Sequence, residues 1–170
     1  MAEFTGDSDR EAYEKTAKAY DSLKGMGLKT RITKTEKEIK KYWTFRRESF
    51  NLLRHHMKGT RTAPFIDDVI VKPEKLPEFL PKLNALLKQY DLVYTIAGHI
   101  GDGNLHIIPL MKLSDPKSKE IIENLSKQVY KLVIEYGGSI TAEHNDGLVR
   151  SPFVREMFGN KIFSLFEQTE

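Results

Sequence analysis

The spacing of apolar positions changes near residue 65. Before that point they recur at three- and four-residue intervals. Ser8-Asp9-Arg10-Glu11 has the spacing of a capping box. It opens a helical stripe through Ala12, Tyr13, Thr16, Tyr20 and Leu23, which Gly25 and Gly27 bring to an end. Thr35-Glu36-Lys37-Glu38 repeats the signal ahead of a longer stripe through Ile39, Tyr42, Trp43, Phe50 and Leu53. Residues 57–64, MKGTRTAP, read as a loop. Residues 1–56 are expected to contribute these helices and one or two further strands.

Beyond residue 65, short apolar runs alternate with helical stripes. Residues 66–71 predict a strand closed by Pro73, and Leu76, Phe79, Leu80, Leu83, Leu86 and Leu87 predict a helix after it. Residues 93–99 predict a second strand, Gly101-Asp102-Gly103 a turn, and residues 104–110 a third strand. Asp115-Pro116 opens a helix carrying Ile121, Ile122, Leu125, Val129, Leu132 and Val133, which Gly137-Gly138 ends. Residues 139–143 predict a fourth strand, and a short helix is expected around 152–157. The order is β-α-β-β-α-β. It predicts an α+β, ferredoxin-like domain: an antiparallel sheet with helices on one face, preceded by a helical extension. Residues 1–170 are read as a single domain.

Strand side chains alternate between the two faces of a sheet. Tyr94, Ile96, Leu105, Ile107, Ile140 and Ala142 form the apolar sets expected against the helices. The opposite face gathers His99, Asn104, His106 and Glu143. With 100–103 as the hairpin loop, Ala97 sits opposite His106, and His99 and His106 are diagonal neighbours about 7–8 Å apart. Two imidazoles so placed, with Glu143, make a His-His-carboxylate set that suits Zn, Mn or Fe(II). A solvated pair of histidines has the same spacing, so spacing alone leaves both readings open. One geometric objection stands. In the usual strand order the first strand separates the third from the fourth, which puts Glu143 about 10 Å sideways from His106.

Composition narrows the chemistry. The chain has no cysteine, so disulfides, thiolate metal sites and thiol catalysis are excluded. A formal net charge of +3, with basic and acidic residues interleaved as in 34–41, KTEKEIKK, describes a solvated helix face and argues against nucleic-acid binding. No GxGxxG or GKS/GKT phosphate loop is present. The start, MAEFTGDSD, lacks the pattern of a signal peptide, which makes a cytoplasmic protein the default expectation. Peripheral membrane association through the rest of a larger protein is compatible with that expectation.

Two segments carry a resemblance. Gly98-His99-Ile100-Gly101-Asp102-Gly103-Asn104-Leu105-His106 resembles the GHxGDGNxH segment of FAD-linked oxidase C-terminal domains. Gly137-Gly138-Ser139-Ile140-Thr141-Ala142-Glu143-His144 resembles their GGS(I/T)xxEH segment, and Asp68-Val69 resembles the strand ahead of both. Residues 3–158 fit the pattern. The family is the vanillyl-alcohol-oxidase-like flavoprotein group, with D-lactate dehydrogenases, glycolate oxidases and D-2-hydroxyglutarate dehydrogenases among its members.

The resemblance implies oxidation of a small D-2-hydroxyacid by hydride transfer to FAD. It assigns His99, His106 and Glu143 to a divalent metal (Zn, Mn or Fe) and His144 to the base that takes the substrate hydroxyl proton. It places Asn104 and Asn145 toward the flavin, and Arg47 and Asn51 toward a substrate carboxylate. After the Glu-His pair many members continue Gly-Ile-Gly. The run Asn145-Asp146-Gly147-Leu148-Val149-Arg150-Ser151-Pro152 is similar instead to the branch of larger, often iron–sulfur-containing dehydrogenases. The implied partner is an N-terminal FAD-binding domain in the rest of a longer protein. Without it, bared apolar surface is expected to favour a homodimer. A free-standing metal- or small-acid-binding module of the same fold is the alternative reading.

Overall fold

The computed structural model describes the backbone of residues 1–56 and 59–169. The side chains of Phe50 and Leu53, placed on a helical stripe above, lie outside the described residues. The chain divides into two compact units, residues 1–53 and 54–170.

In the first unit, α1 spans Asp9–Ser22, and α2 spans Glu36–His56 and runs on past the unit's end. The expected caps form. Ser8 Oγ accepts the Glu11 N–H at 3.3 Å and Thr35 Oγ1 accepts the Glu38 N–H at 3.2 Å. The reciprocal glutamates reach one residue further back than a standard box. They accept from the N–H groups of Asp7 and Lys34. The expectation of extra strands here is corrected: among the described residues of this unit there is no strand, and the segment at 28–34 pairs with no strand of the sheet.

The second unit holds the sheet and the core. Its elements are β1 (Arg61–Thr62), β2 (Val69–Ile70), α3 (Leu76–Leu87), β3 (Val93–Ala97), β4 (Asn104–Met111), α4 (Lys117–Glu135) and α5 (Gly147–Thr169). The sheet is antiparallel and centred on β4, with β3 along one edge and β1 and β2 along the other. Ile70 bridges Ser139 on the far side of β2. The class is α+β, and β2 lies between β4 and the 139 segment, as the pattern predicts.

Phe79, Leu83 and Leu87 of α3 and Leu125, Val129, Tyr130 and Val133 of α4 are fully buried against Val69, Leu105 and Ile107 of the sheet. Of the helix residues, all but Tyr130 are positions the two apolar stripes single out. Burying a side chain of this size stabilises by roughly 1.5–3 kcal/mol.

Four boundaries differ from expectation. Part of the 57–64 loop is strand β1, with Thr62 opposite Leu110. The 66–71 run is a strand only at Val69–Ile70, because Asp68 takes a left-handed φ of 62° that a strand cannot contain. The fourth strand is reduced to its bridge at Ser139, and residues 141–146 leave the sheet as a loop. The C-terminal helix is also longer than 152–157, and it breaks at Gly159, whose φ of 76° and ψ of 165° are non-helical. Among the described residues no helix is long and apolar enough to cross a membrane.

Candidate metal centre

The site lies where β4, the β3–β4 loop and the 141–146 loop meet, all within the second unit. The β3–β4 register places Ala97 opposite His106, as expected. His99 leads into a single 3-10 turn at Ile100–Asp102, and its carbonyl accepts the N–H groups of Asp102 and Asn104 at 2.9 and 3.2 Å. Gly103 closes the turn with φ 79°. A Cβ there would lie 1.8 Å from the Val71 carbonyl oxygen, so no other residue fits. This turn brings the His99 and His106 rings to a centroid separation of 6.2 Å.

Asp68 determines the other side of the site. It is wholly buried. Its Oδ2 accepts the backbone N–H groups of Ala142, Glu143 and His144 at 2.9, 3.0 and 2.9 Å, and the Thr141 hydroxyl at 3.3 Å. Its Oδ1 accepts the Asn104 amide at 2.9 Å. Burial by itself would push the carboxyl up. The N–H groups of His144, Ala142 and Glu143 and the Asn104 amide outweigh it and hold the group at about 2, below its ordinary 3.8. Curling around this carboxylate, residues 141–144 make the hydrogen bonds that a fourth strand would have made to a neighbour.

The curl removes the 10 Å objection. Glu143 Oε1 lies 2.8 Å from His106 Nε2, 3.8 Å from His99 Nε2 and 3.7 Å from His144 Nε2. Three imidazole nitrogens therefore converge on one carboxylate oxygen. The rings of His106 and His144 stand 5.2 Å apart.

One ligand atom from each of Asp68, His106, Glu143 and His144 falls within 4.8 Å of the others. Asp68 nevertheless belongs to the frame rather than to the ligand set, because its two oxygens already accept five hydrogen bonds. The remaining members are His106, Glu143 and His144; His99 stands outside this group, with Nε2 3.8 Å from Glu143 Oε1, and adds a further imidazole at its edge. This set fits Zn, Mn or Fe(II).

The other expected site residues fall in different places. Asn104 was expected on the open face. It is buried, with its amide donating to the buried Asp68. Asn145 is exposed with φ 60°, a conformation asparagine tolerates, and its carbonyl accepts Arg150 Nη1 at 2.6 Å. Arg47 and Asn51 are exposed on α2, where the Asn51 amide donates to Glu48.

Three residues of the frame were not singled out by the motifs: Asp67, Asp68 as a holder of the loop, and Arg150. Asp67 Oδ1 lies 3.0 Å from His106 Nδ1. The buried Arg150 donates from Nη2 to the Asp67 carbonyl at 2.7 Å, tying this strand entry to the Asn145 loop. The visible signal was the consecutive pair Asp67-Asp68 at the mouth of an apolar strand, where unpaired charge would be costly.

The chain matches the family of FAD linked oxidases, C-terminal domain, over residues 1–169. It is 32% identical over 163 residues to a D-2-hydroxyglutarate dehydrogenase of Pseudomonas putida, an alignment covering 94% of this chain and 16% of that protein. It is also 32% identical over 126 residues to a D-2-hydroxyglutarate dehydrogenase of Haemophilus influenzae, covering 74% of this chain and 12% of that protein. To the GlcD subunit of glycolate oxidase from Bacillus subtilis it is 25% identical over 131 residues, covering 77% and 27%. The chain thus spans about a quarter or less of the length of these curated relatives. By this match, and by the motifs whose histidines and glutamate converge in the structure, the chain belongs to the FAD-linked oxidase C-terminal domain family.

Proposed function

We propose that this chain is the substrate-side domain of a flavin-dependent oxidoreductase that oxidises a D-2-hydroxyacid of the lactate, glycolate or 2-hydroxyglutarate type. The observation that carries the reading is the convergence of three imidazole Nε2 atoms within 3.8 Å of Glu143 Oε1 in a chain of this family. FAD, held by an N-terminal domain of the intact protein, would supply the hydride acceptor, and a divalent ion would supply a Lewis acid. His99, His106 and Glu143 would hold the ion.

The roles of the chain's own groups follow from position. His144 is half-exposed beside the ligand set, with Nε2 3.7 Å from Glu143 Oε1. In this reading it takes the proton of a hydroxyl bound at the centre. Asn145, exposed next to His144, would face the flavin side. Arg47 and Asn51 would bind a substrate carboxylate in the intact protein. Asn104 supports the site from behind Asp68.

The reading is tested by metal uptake on the purified chain, using Zn2+, Mn2+ and Fe2+. Wild type should take up one equivalent. His99→Ala, His106→Ala and Glu143→Gln should each weaken binding by at least about 10-fold. Equal uptake by wild type and all three variants would remove the metal centre from the reading. In the intact protein, His144→Ala should lower kcat toward a D-2-hydroxyacid by about 10²–10⁴-fold. Unchanged turnover would remove its role as base.

A further inference from the structure

We propose that Asp67 is the positioning residue for His106. Its carboxylate keeps the imidazole proton on Nδ1, which leaves Nε2 bare toward Glu143, His99 and His144. The part of this inference that concerns metal affinity rests on the proposed metal centre; the placement of the proton does not.

The geometry is specific. Asp67 Oδ1 lies 3.0 Å from His106 Nδ1, on the side of the ring away from the cluster. The same oxygen accepts the N–H of Asp68 at 2.8 Å, which fixes the carboxylate against its own backbone. Arg150 holds the Asp67 carbonyl from the other side at 2.7 Å. The left-handed φ of 62° at Asp68 then sends the two consecutive carboxylates to different tasks. Asp67 reaches a ring on β4, and Asp68 reaches the 141–144 loop. An ionised carboxylate can only accept, so the contact with Asp67 requires a proton on Nδ1.

A competing acceptor sits at the other nitrogen. Glu143 Oε1 is 2.8 Å from His106 Nε2 and would draw the proton there. Exposure decides between the two. The Asp67 and His106 side chains are 16% and 17% exposed, whereas Glu143 is 45% exposed. Water competes for the Glu143 contact and much less for the Asp67 contact, so the drier bond is the stronger. With the proton on Nδ1, a cation entering the cluster meets a lone pair on Nε2 already aimed at it. Carboxylates hydrogen-bonded behind a ligating imidazole generally contribute 10–100-fold to metal affinity.

The deciding measurement is the tautomer of His106 in the metal-free chain. It is read from nitrogen–proton multiple-bond correlations of the ring, at a pH well above the imidazole range. In wild type the proton should reside on Nδ1. In Asp67→Ala it should move to Nε2, where Glu143 is the remaining acceptor, and Asp67→Glu should restore it at least in part. Asp67→Asn, which keeps the shape and removes the charge, should give a mixture, and it serves if the alanine variant does not fold. Zn2+ affinity should fall about 10–100-fold in Asp67→Ala and recover in Asp67→Glu.

A proton on Nε2 in wild type, or an unchanged tautomer in both Asp67→Ala and Asp67→Asn, overturns the proposal. A wild-type chain that takes up no Zn2+ counts against the metal centre instead, and the tautomer still decides the role of Asp67.

Discussion

Replacing Asp68 with asparagine should cost several kcal/mol and release the 141–144 loop. The substitution is sharp because asparagine keeps the size of the side chain and tolerates the left-handed φ of 62° at this position. Only the charge and one acceptor atom are lost. The magnitude follows from the carboxyl being held at about 2 against an ordinary 3.8. A depression of that size corresponds to about 2 kcal/mol of stabilisation specific to the ionised form. The new NH2 group must also face a donor, either the Asn104 amide or the N–H groups of residues 142–144. Leaving a buried donor unpaired adds about 1–3 kcal/mol. The expected total is roughly 3–5 kcal/mol.

The pH dependence has a definite sign. The folded value of Asp68 lies below the unfolded one, so its contribution is complete above about 3.8 and is lost as pH falls toward about 2. The difference in stability between wild type and Asp68→Asn should therefore shrink over that window. Urea unfolding of the metal-free proteins gives the total. Hydrogen exchange at Ala142, Glu143 and His144 gives the local effect, and these amides should lose protection before those of β4. A cost under about 1 kcal/mol, with protection at 142–144 unchanged, would refute the assignment of the loop's shape to this carboxylate.

Two further outcomes test the frame and the core. Gly103→Ala puts a Cβ 1.8 Å from the Val71 carbonyl oxygen at a φ of 79°, so it should destabilise by more than about 2 kcal/mol and weaken the approach of His99 to His106. A urea midpoint within experimental error of wild type would contradict that packing. Tyr130→Phe removes the 2.6 Å hydrogen bond to the Phe65 carbonyl and should cost about 1–2 kcal/mol at neutral pH. Burial raises the Tyr130 phenol to about 12, so its contribution is complete below its ordinary 10.0 and is lost as pH rises toward 12. Urea midpoints of the two proteins should converge over that alkaline range, and parallel curves would show that the phenol is not buried as described.

What the sequence reveals of this fold is what short-range pattern can carry. The leucine stripe of α3 predicts a helix over the very residues, Leu76–Leu87, that form it, because its apolar positions share one face and bury together. The Ala97–His106 register follows from the length of the Gly-Asp-Gly loop, which leaves the hairpin little freedom. The 66–68 turn and the missing fourth strand were not legible. Their common cause is a contact between Asp68 and amides 74 to 76 residues away, and no local periodicity reports such a contact. Asn104 was misread for the same reason. Alternation assigns it to the face of His106 but cannot report that the buried Asp68, 36 residues earlier, accepts its amide there.

The loss of the fourth strand is what makes the cluster reachable. A regular strand at 139–143 would lie beyond β2, and Glu143 would stand about 10 Å from His106, too far for both to hold one ion. A strand leaving the sheet must find other partners for its N–H groups, and a single buried carboxylate supplies them for three consecutive residues. The curl this permits carries Glu143 Oε1 to 2.8 Å from His106 Nε2. Asp68 thus decides whether the glutamate arrives, and Asp67, one residue earlier, decides which nitrogen of His106 it meets. Each role can fail alone. Loss of Asp68 should scatter Glu143 and His144 while leaving the His99–His106 pair on its hairpin, whereas loss of Asp67 should leave every ligand in place and shift only the proton on the ring.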